Sequence, residues 1–256
     1  MMMPLSKRRA AVAAVFLLCG IGILVWGHKQ WRRARADDGP QPRVVDPGDA
    51  TRPPSDAVVL FDGKDLSQWV TADGQPARCQ LIDGEMHCRT GAGDAYSKAT
   101  FGAAQIHLEY NVPHMPDQTG QMRGNSGIFV QACYEVQILD SFQNPTYADG
   151  SNSAVYGFAA PLVNAGRPPG QWQTYDMIFR PPRCDNDGNI AEPGMITVFL
   201  NGVLVHDRVQ LAKPGPGCTL RSVCDAGPLR LQDHSGFPGA PDTTLRFRNI
   251  WYRPLD

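Results

Sequence analysis

The sequence predicts an all-β sandwich or jelly roll on three grounds. Apolar side chains fall at every second position in several segments, the period of a half-buried strand. Glycine (26) and proline (22) are abundant, which suits many short strands joined by turns. Beyond residue 57 no stretch holds a helical period for more than about three turns.

Taken in order, the chain opens with Lys7, Arg8 and Arg9 ahead of an uncharged apolar run from Ala10 to Gly27. At 1.5 Å per residue that run reaches about 27 Å as a helix, the lower end for a membrane span. Lys29, Arg32, Arg33 and Arg35 follow it, so the flanking charge is nearly balanced and leaves orientation open. Residues 1–36 are expected to act as a signal anchor, one transmembrane helix. Two other readings stay open here: cleavage at the Ala34-Arg35-Ala36 motif, and a lipid on Cys19, where the bulky Leu18 is unfavourable. Residues 37–56 contain Pro40, Pro42, Pro47, Pro53 and Pro54 and read as a semi-rigid linker. Residues 57–256 show no second linker and no repeat, so they read as one domain.

Within that domain, Cys79-Gln-Leu-Ile-Asp-Gly-Glu-Met-His-Cys88 is a hairpin centred on Asp83-Gly84, a favoured two-residue turn. Counting outward, Ile82 meets Glu85, Leu81 meets Met86 and Gln80 meets His87. Cys79 then meets Cys88 at a non-hydrogen-bonded position, where side chains approach most closely. A Cys79–Cys88 disulfide is expected. Gln105–Val112 alternates as a strand, and Met195–Leu200 and Val203–His206 flank an Asn201-Gly202 turn as a second hairpin. Thr244–Tyr252 is the closing strand. Cys133, Cys184, Cys218 and Cys224 complete an even set behind the apolar segment, the pattern of an oxidising space outside the cytoplasm. Their pairing stays open, because six cysteines permit many connectivities.

The charge balance, 24 basic against 25 acidic residues, leaves a formal −1 and no basic footprint for nucleic acid. Candidate chemistry gathers in two places. In Tyr134–Asp140, Glu135 and Gln137 share a strand face while Val136 and Ile138 point to the other. A bulge between Gln137 and Asp140 would return Asp140 to the face of Glu135. That spacing matches the acidic triad of laminarinase-type sandwich glycosidases, in which two carboxylates flank the scissile bond, with Gln137 in place of the middle acid. A solvent-exposed polar strand face is the competing reading. The second place is Gly227–Gly236, where His234 follows a strand-like run beside Asp233 and suits an acid, a base or a metal ligand. A hydrogen-bonded corner is the competing reading there.

The wording of these segments resembles a known family. Val59-Leu-Phe-Asp-Gly-Lys-Asp-Leu-Ser-Gln-Trp69 is similar to the opening of the 3-keto-disaccharide hydrolase domain family. The resemblance continues through Arg123-Gly-Asn-Ser-Gly-Ile-Phe129, Tyr134-Glu-Val-Gln-Ile-Leu-Asp-Ser141, Pro145-Thr-Tyr-Ala-Asp-Gly150 and Ala154-Val-Tyr156. It ends with Gly170-Gln-Trp-Gln-Thr-Tyr-Asp176, Val198-Phe-Leu-Asn-Gly-Val203, Leu231-Gln-Asp-His234 and Phe247-Arg-Asn-Ile250, so nearly all of residues 57–255 is covered. Cys133 and the number of cysteines depart from the family pattern.

The resemblance implies a concanavalin-like or laminarinase-like jelly-roll sandwich, exported, acting on glycosides oxidised to a ketone at C3. Such a ketone acidifies the C2 hydrogen, so a base can remove it, the C1 substituent can leave, and water can then add. The enolate on the way needs hydrogen-bond donors or a divalent metal ion. Carried over by position, Glu135 is the principal acid/base, His234 its partner or a ligand, and Asp140 a third catalytic group. Asp140 and Asp233 would orient or coordinate. Arg123, Asn125, Gln137, Gln232 and Asp233 would hold sugar hydroxyls or the ketone oxygen. Apart from the resemblance, concave sandwich faces bind sugars readily, and Tyr156, Trp172 and Trp69 could supply stacking surfaces for a binding module. Two other classes remain: a non-catalytic, membrane-anchored carbohydrate-binding module, and a structural envelope domain.

Overall fold

A computed structural model describes residues 41–49, 52–236 and 238–255; the anchor expected over residues 1–36 lies outside them. Among the described residues no helix is long and apolar enough to cross a membrane. One compact unit begins at Val45, so the second half of the stretch read as linker packs with the domain. Asp56 there pairs with Arg253 at 2.7 Å.

The alternating segments become two antiparallel sheets. The larger contains Val58–Phe61 (β1), Gln80–Ile82 (β3), Glu85–Arg89 (β4), Ala104–Asn111 (β6), Gln173–Arg180 (β9), Gly194–Leu200 (β12), Val203–Leu211 (β13) and Thr244–Pro254 (β15). The smaller contains Trp69–Val70 (β2), Ala95–Phe101 (β5), Ser126–Val130 (β7), Tyr134–Ile138 (β8) and Gly227–Leu231 (β14). Arg183–Cys184 (β10) and Ile190–Glu192 (β11) form a separate ribbon. The large sheet runs β13-β12-β9-β6-β15-β4-β3, with β1 also beside β15; the small one runs β2-β5-β14-β7-β8.

The period of two sends one set of side chains from each sheet into a shared core. Ile106, Leu108, Tyr175, Met177, Phe179 and Phe247 come from the large sheet, and Ile128, Val130, Val136, Ile138, Leu229 and Leu231 from the small one. Each is essentially fully buried, worth about 1.5–3 kcal/mol of transfer free energy apiece. Trp69 also belongs to this core: it is 1% exposed and its Nε1 donates to the Leu60 carbonyl, so it offers no stacking surface.

Both hairpins close on positive-φ pairs, Asp83-Gly84 and Asn201-Gly202, the backbone form that matches strand twist. In the first, Gln80 pairs with His87, Leu81 with Met86 and Ile82 with Glu85. Cys79 and Cys88 flank that ladder, with Cα atoms 4.4 Å apart and a disulfide between them. The other cystines are Cys133–Cys218 and Cys184–Cys224. Three disulfides mark an extracytoplasmic, oxidising compartment.

The bulge expected between Gln137 and Asp140 does not form. β7 and β8 pair without a register shift from Val130–Tyr134 to Ser126–Ile138, and the chain then leaves the ladder. Beyond Ile138 the backbone donors find partners off the sheet. Leu139 N donates to Asn152 Oδ1 at 3.1 Å and Asp140 N to the Arg123 carbonyl at 3.0 Å. Nothing then holds the strand in a bulged continuation.

Candidate active site

The strand that carries Glu135 is braced from three directions. On its free side, residues 153–156 run alongside: Tyr156 N donates to the Glu135 carbonyl at 3.0 Å, and Gln137 N to the Ala154 carbonyl at 2.9 Å. From the opposite sheet, the buried Tyr175 hydroxyl donates to the Gln137 carbonyl at 2.7 Å. β7 closes the third direction.

Register converts this backbone into a site. Since Val136, Ile128 and Leu231 enter the core, their strand neighbours point away from it. Glu135 lies opposite Phe129, Phe129 opposite Arg230, and Arg230 opposite Tyr96, giving one row across four strands. In the next row Gln137 lies opposite Gly127, and Gln232 N donates to the Gly127 carbonyl at 2.9 Å. Gly127 has no side chain, and the Glu135 carboxyl occupies the space above it. A Cβ placed there would lie 2.9 Å from the carboxyl carbon.

Glu135 is only 6% exposed. Burial pushes its carboxyl up to about 7; the Arg230 charge opposes this and the Asp94 charge adds to it. Arg230 is itself buried, its guanidinium 3.5 Å above the Phe129 ring and its Nε 3.6 Å from Asp94 Oδ2. One end of the Gln137 carboxamide lies 3.0 Å from Glu135 Oε1 and 3.0 Å from the Ser126 carbonyl. With nitrogen at that end it donates to an ionised Glu135; with oxygen there it accepts from a protonated one. The other end lies 3.3 Å from Gln121 Oε1 and 3.4 Å from Asn125 Oδ1 and from the Gly150 carbonyl. Tyr156 joins this face beside Glu135, with its hydroxyl 3.4 Å from that of Tyr147. Burial and Tyr156 push the Tyr147 phenol up to about 12, with Glu135 adding to the rise.

The remaining candidates go elsewhere. Asp140 is 2% exposed and its carboxylate belongs to Arg123, at 2.7 Å, and to Phe142 N, at 3.1 Å. Arg123 also donates to the Phe142 carbonyl. These two residues clamp a loop instead of facing Glu135, because the strand ends before reaching Asp140. Asp233 accepts from Gly91 N, Gly93 N, Ser235 N and Ser235 Oγ, so its carboxylate ties the 91–93 loop to the turn carrying His234. His234 lines a small cavity with Asn125, Gln232 and Thr243, and burial lowers its pKa against the pull of Asp233. The Glu135 and His234 neighbourhoods are linked through Asp94, which accepts from Asp233 N at 2.8 Å, and through Asn125, which lines the His234 cavity and lies 3.4 Å from Gln137. Trp172 lies over the outer face of the other sheet, under Arg248 at 4.1 Å and Arg246 at 5.5 Å. Those arginines alternate with core Leu245 and Phe247, so Trp172 does not share the Glu135 face.

Among the described residues no three of His, Cys, Asp and Glu gather as metal ligands. The two aspartates that would serve His234 or Glu135 are already committed to Arg123, to backbone donors and to the Ser235 hydroxyl, so these residues do not fit a resident metal ion.

Sequence reasoning missed Asp94, Arg230, Gly127, Gln121 and Tyr147. For Arg230 a signal was present: in Gly227–Gln232 it alternates with Leu229 and Leu231, which places it on the face away from the core. Asp94 and Gly127 carry no such mark. Their importance comes from neighbours that are distant along the chain.

A buried acid, a guanidinium and a row of carboxamides on the outer face of a sandwich sheet are groups suited to carbohydrate, and the comparisons agree. The chain belongs to the family of the 3-keto-alpha-glucoside-1,2-lyase-like domain, whose pattern matches residues 56–253. It is a glycoside hydrolase-like, carbohydrate-active enzyme domain. A crystal structure from Parabacteroides distasonis ATCC 8503, described as a "putative glycosyl hydrolase", is 40% identical over 85% of this chain and 93% of its own, with a TM-score of 0.77. A second so described, from the same organism, is 17% identical over 78% of this chain and 94% of its own, with a TM-score of 0.56, and shows the shared fold. No match was found among the curated proteins.

Proposed function

We propose that this domain cleaves 3-keto-glycosides by elimination across C1–C2 followed by hydration, a net hydrolysis, with Glu135 as the base. The observation that carries this reading is the Glu135 carboxyl, buried over Gly127, held near neutrality and touched by a carboxamide. A base that titrates near 7 is matched to proton transfer at neutral pH. Ionised Glu135 takes the C2 proton, and the C2–H electrons become an enolate on the C3 oxygen. The carbonyl then re-forms, C1=C2 forms, and the C1–O bond breaks with its electrons leaving on the departing oxygen, which takes up a proton. Water adds its oxygen to C1, and a proton returns to C2.

Arg230, a fixed positive charge that acts on Glu135, supports the enolate, and Gln137, Gln232 and Asn125 supply carboxamides for neutral hydroxyls. A low-dielectric, pre-set cation costs no reorganisation when the charge develops. Residues 1–36 hold the domain at a membrane as a signal anchor, on its periplasmic or outer side; the run Ala10–Gly27 and the three cystines support this.

The test is turnover of 3-keto-glucosides against their unoxidised parents, in deuterated water, by wild type and Glu135→Gln. Cleavage of ketosugars alone, with solvent deuterium at C2 and loss in the variant, is expected. Binding without turnover of any sugar sinks the enzyme reading in favour of a carbohydrate-binding module. Equal turnover by the variant removes Glu135 as the base.

A further inference from the structure

Tyr147 sits in an exposed loop, with its ring packed over Gly150 and its hydroxyl 3.4 Å from that of Tyr156. The residue is 50% exposed. Beneath it lies Gly150, where a Cβ would overlap ring atoms Cε2 and Cζ and stand 2.7 Å from the hydroxyl. Its loop is pinned on both sides. Asn144 accepts from Gly120 N at 2.7 Å and donates to the Gly120 carbonyl at 3.0 Å and the Asp140 carbonyl at 2.6 Å. Gln121 Nε2 donates to Thr146 Oγ1 and to the Gly150 carbonyl, both at 2.9 Å. Pinning an open aromatic ring beside Glu135 gives the core nothing; it pre-organises a surface for something that arrives from solvent.

We propose that Tyr147, seated on Gly150 and steadied by Tyr156, is the stacking platform for the apolar C–H face of a pyranose ring in the Glu135 site. The inference rests on the carbohydrate reading above and adds a specificity residue to it. The position of the ring fits the role. The Gly150 carbonyl is 3.4 Å from one end of the Gln137 carboxamide, whose other end touches Glu135, and Tyr156 pairs its backbone with Glu135. A sugar lying on the ring therefore has its edge directed at the carboxamides and the acid. One face of a pyranose presents C–H groups, and laying them on a π surface removes apolar area from water while the hydroxyls stay free for hydrogen bonds. Trp172 is unsuited to this task, since two arginines already occupy its surroundings.

The test measures calorimetric Kd values of 3-keto-glucosides on the full chain carrying Glu135→Gln, so that binding is read without turnover. Adding Tyr147→Ala is expected to weaken binding about tenfold, and Tyr147→Phe to restore it to within about threefold. Gly150→Ala, which leaves the tyrosine in place but displaces the ring, is expected to reproduce the alanine result with the fold intact by circular dichroism. Unchanged Kd in Tyr147→Ala overturns the platform. Loss in Tyr147→Phe equal to that in Tyr147→Ala also overturns it, assigning the contribution to the phenol. If wild type turns over no ketosugar but binding still depends on Tyr147, the platform stands and the cleavage proposal falls. If the sugars do not bind at all, both fall.

Discussion

Glu135 and Gly127 share one volume: the acid's carboxyl fills the space a side chain on the glycine would need. Gly127→Ala is expected to lower kcat by about 100-fold or more, because a displacement of about 1 Å at a reacting group costs that much. The strand itself tolerates alanine, so melting should fall by only a few degrees. Paired kcat and Tm measurements check this; a variant that melts early in proportion to its loss of activity would show that Gly127 serves the fold alone.

The ionisation of Glu135 has a signed consequence for stability. Burial raises its folded pKa to about 7 from 4.5, so the native state binds the proton more tightly than the unfolded chain. Its contribution is fully present below about 4.5 and is lost as pH rises through about 7, on the order of 3 kcal/mol in all. Glu135→Gln is therefore expected to be more stable than wild type at pH 8, with the difference shrinking towards pH 5. Denaturant melts across that window give the answer, and a constant difference would refute it.

The same surroundings set the pH–rate profile. A base must be ionised, so kcat/KM is expected to rise through about pH 7. Asp94 raises the Glu135 pKa and Arg230 lowers it. Asp94→Asn should move the rising limb to lower pH, and Arg230→Gln should move it higher. Two variants shifting in the same direction would contradict the electrostatic assignment.

Cys133–Cys218 closes a span of 85 residues and Cys79–Cys88 one of 9. In the chain-entropy account, losing the first costs about 4–5 kcal/mol and losing the second about 2–3 kcal/mol. The first also pins the loop in which a Cβ on Gly217 would stand 3.3 Å from Phe129 and 3.5 Å from Arg230. Replacing Cys133 and Cys218 by serine is expected to lower both Tm and kcat/KM, and replacing Cys79 and Cys88 to lower Tm alone. Equal effects on kcat/KM would remove the link between that loop and Arg230.

Asp140 is fully buried and Arg123 partly so, and removing the arginine strands a buried carboxylate. Arg123→Ala is expected to destabilise by about 3–5 kcal/mol, whereas Arg123→Met with Asp140→Leu recovers much of the loss. Chemical denaturation of the three proteins checks this. A double variant as unstable as the single one would point to hydrogen bonding, not charge, as the role of Asp140.

Local rules carried far in this chain. The Cys79–Cys88 hairpin, the Asn201-Gly202 turn, the β6 and β15 strands and the shared face of Glu135 and Gln137 all follow from turn chemistry and a period of two. These features are decided by residues within about ten positions of one another, and their neighbours along the chain contain all the information needed. Tertiary structure decided the rest. Asp140 went to Arg123 because Asn152 and the Arg123 carbonyl capture the backbone past Ile138, and Trp172 went to the other sheet because it leads directly into β9 there. The acid's true companions, Gly127, Asp94 and Arg230, come from three other strands or their ends. Their meeting with Glu135 depends on which strands pair and in what register, a long-range choice made by burial of the common core, and only that choice turns an ordinary strand carboxylate into a buried group that titrates near 7.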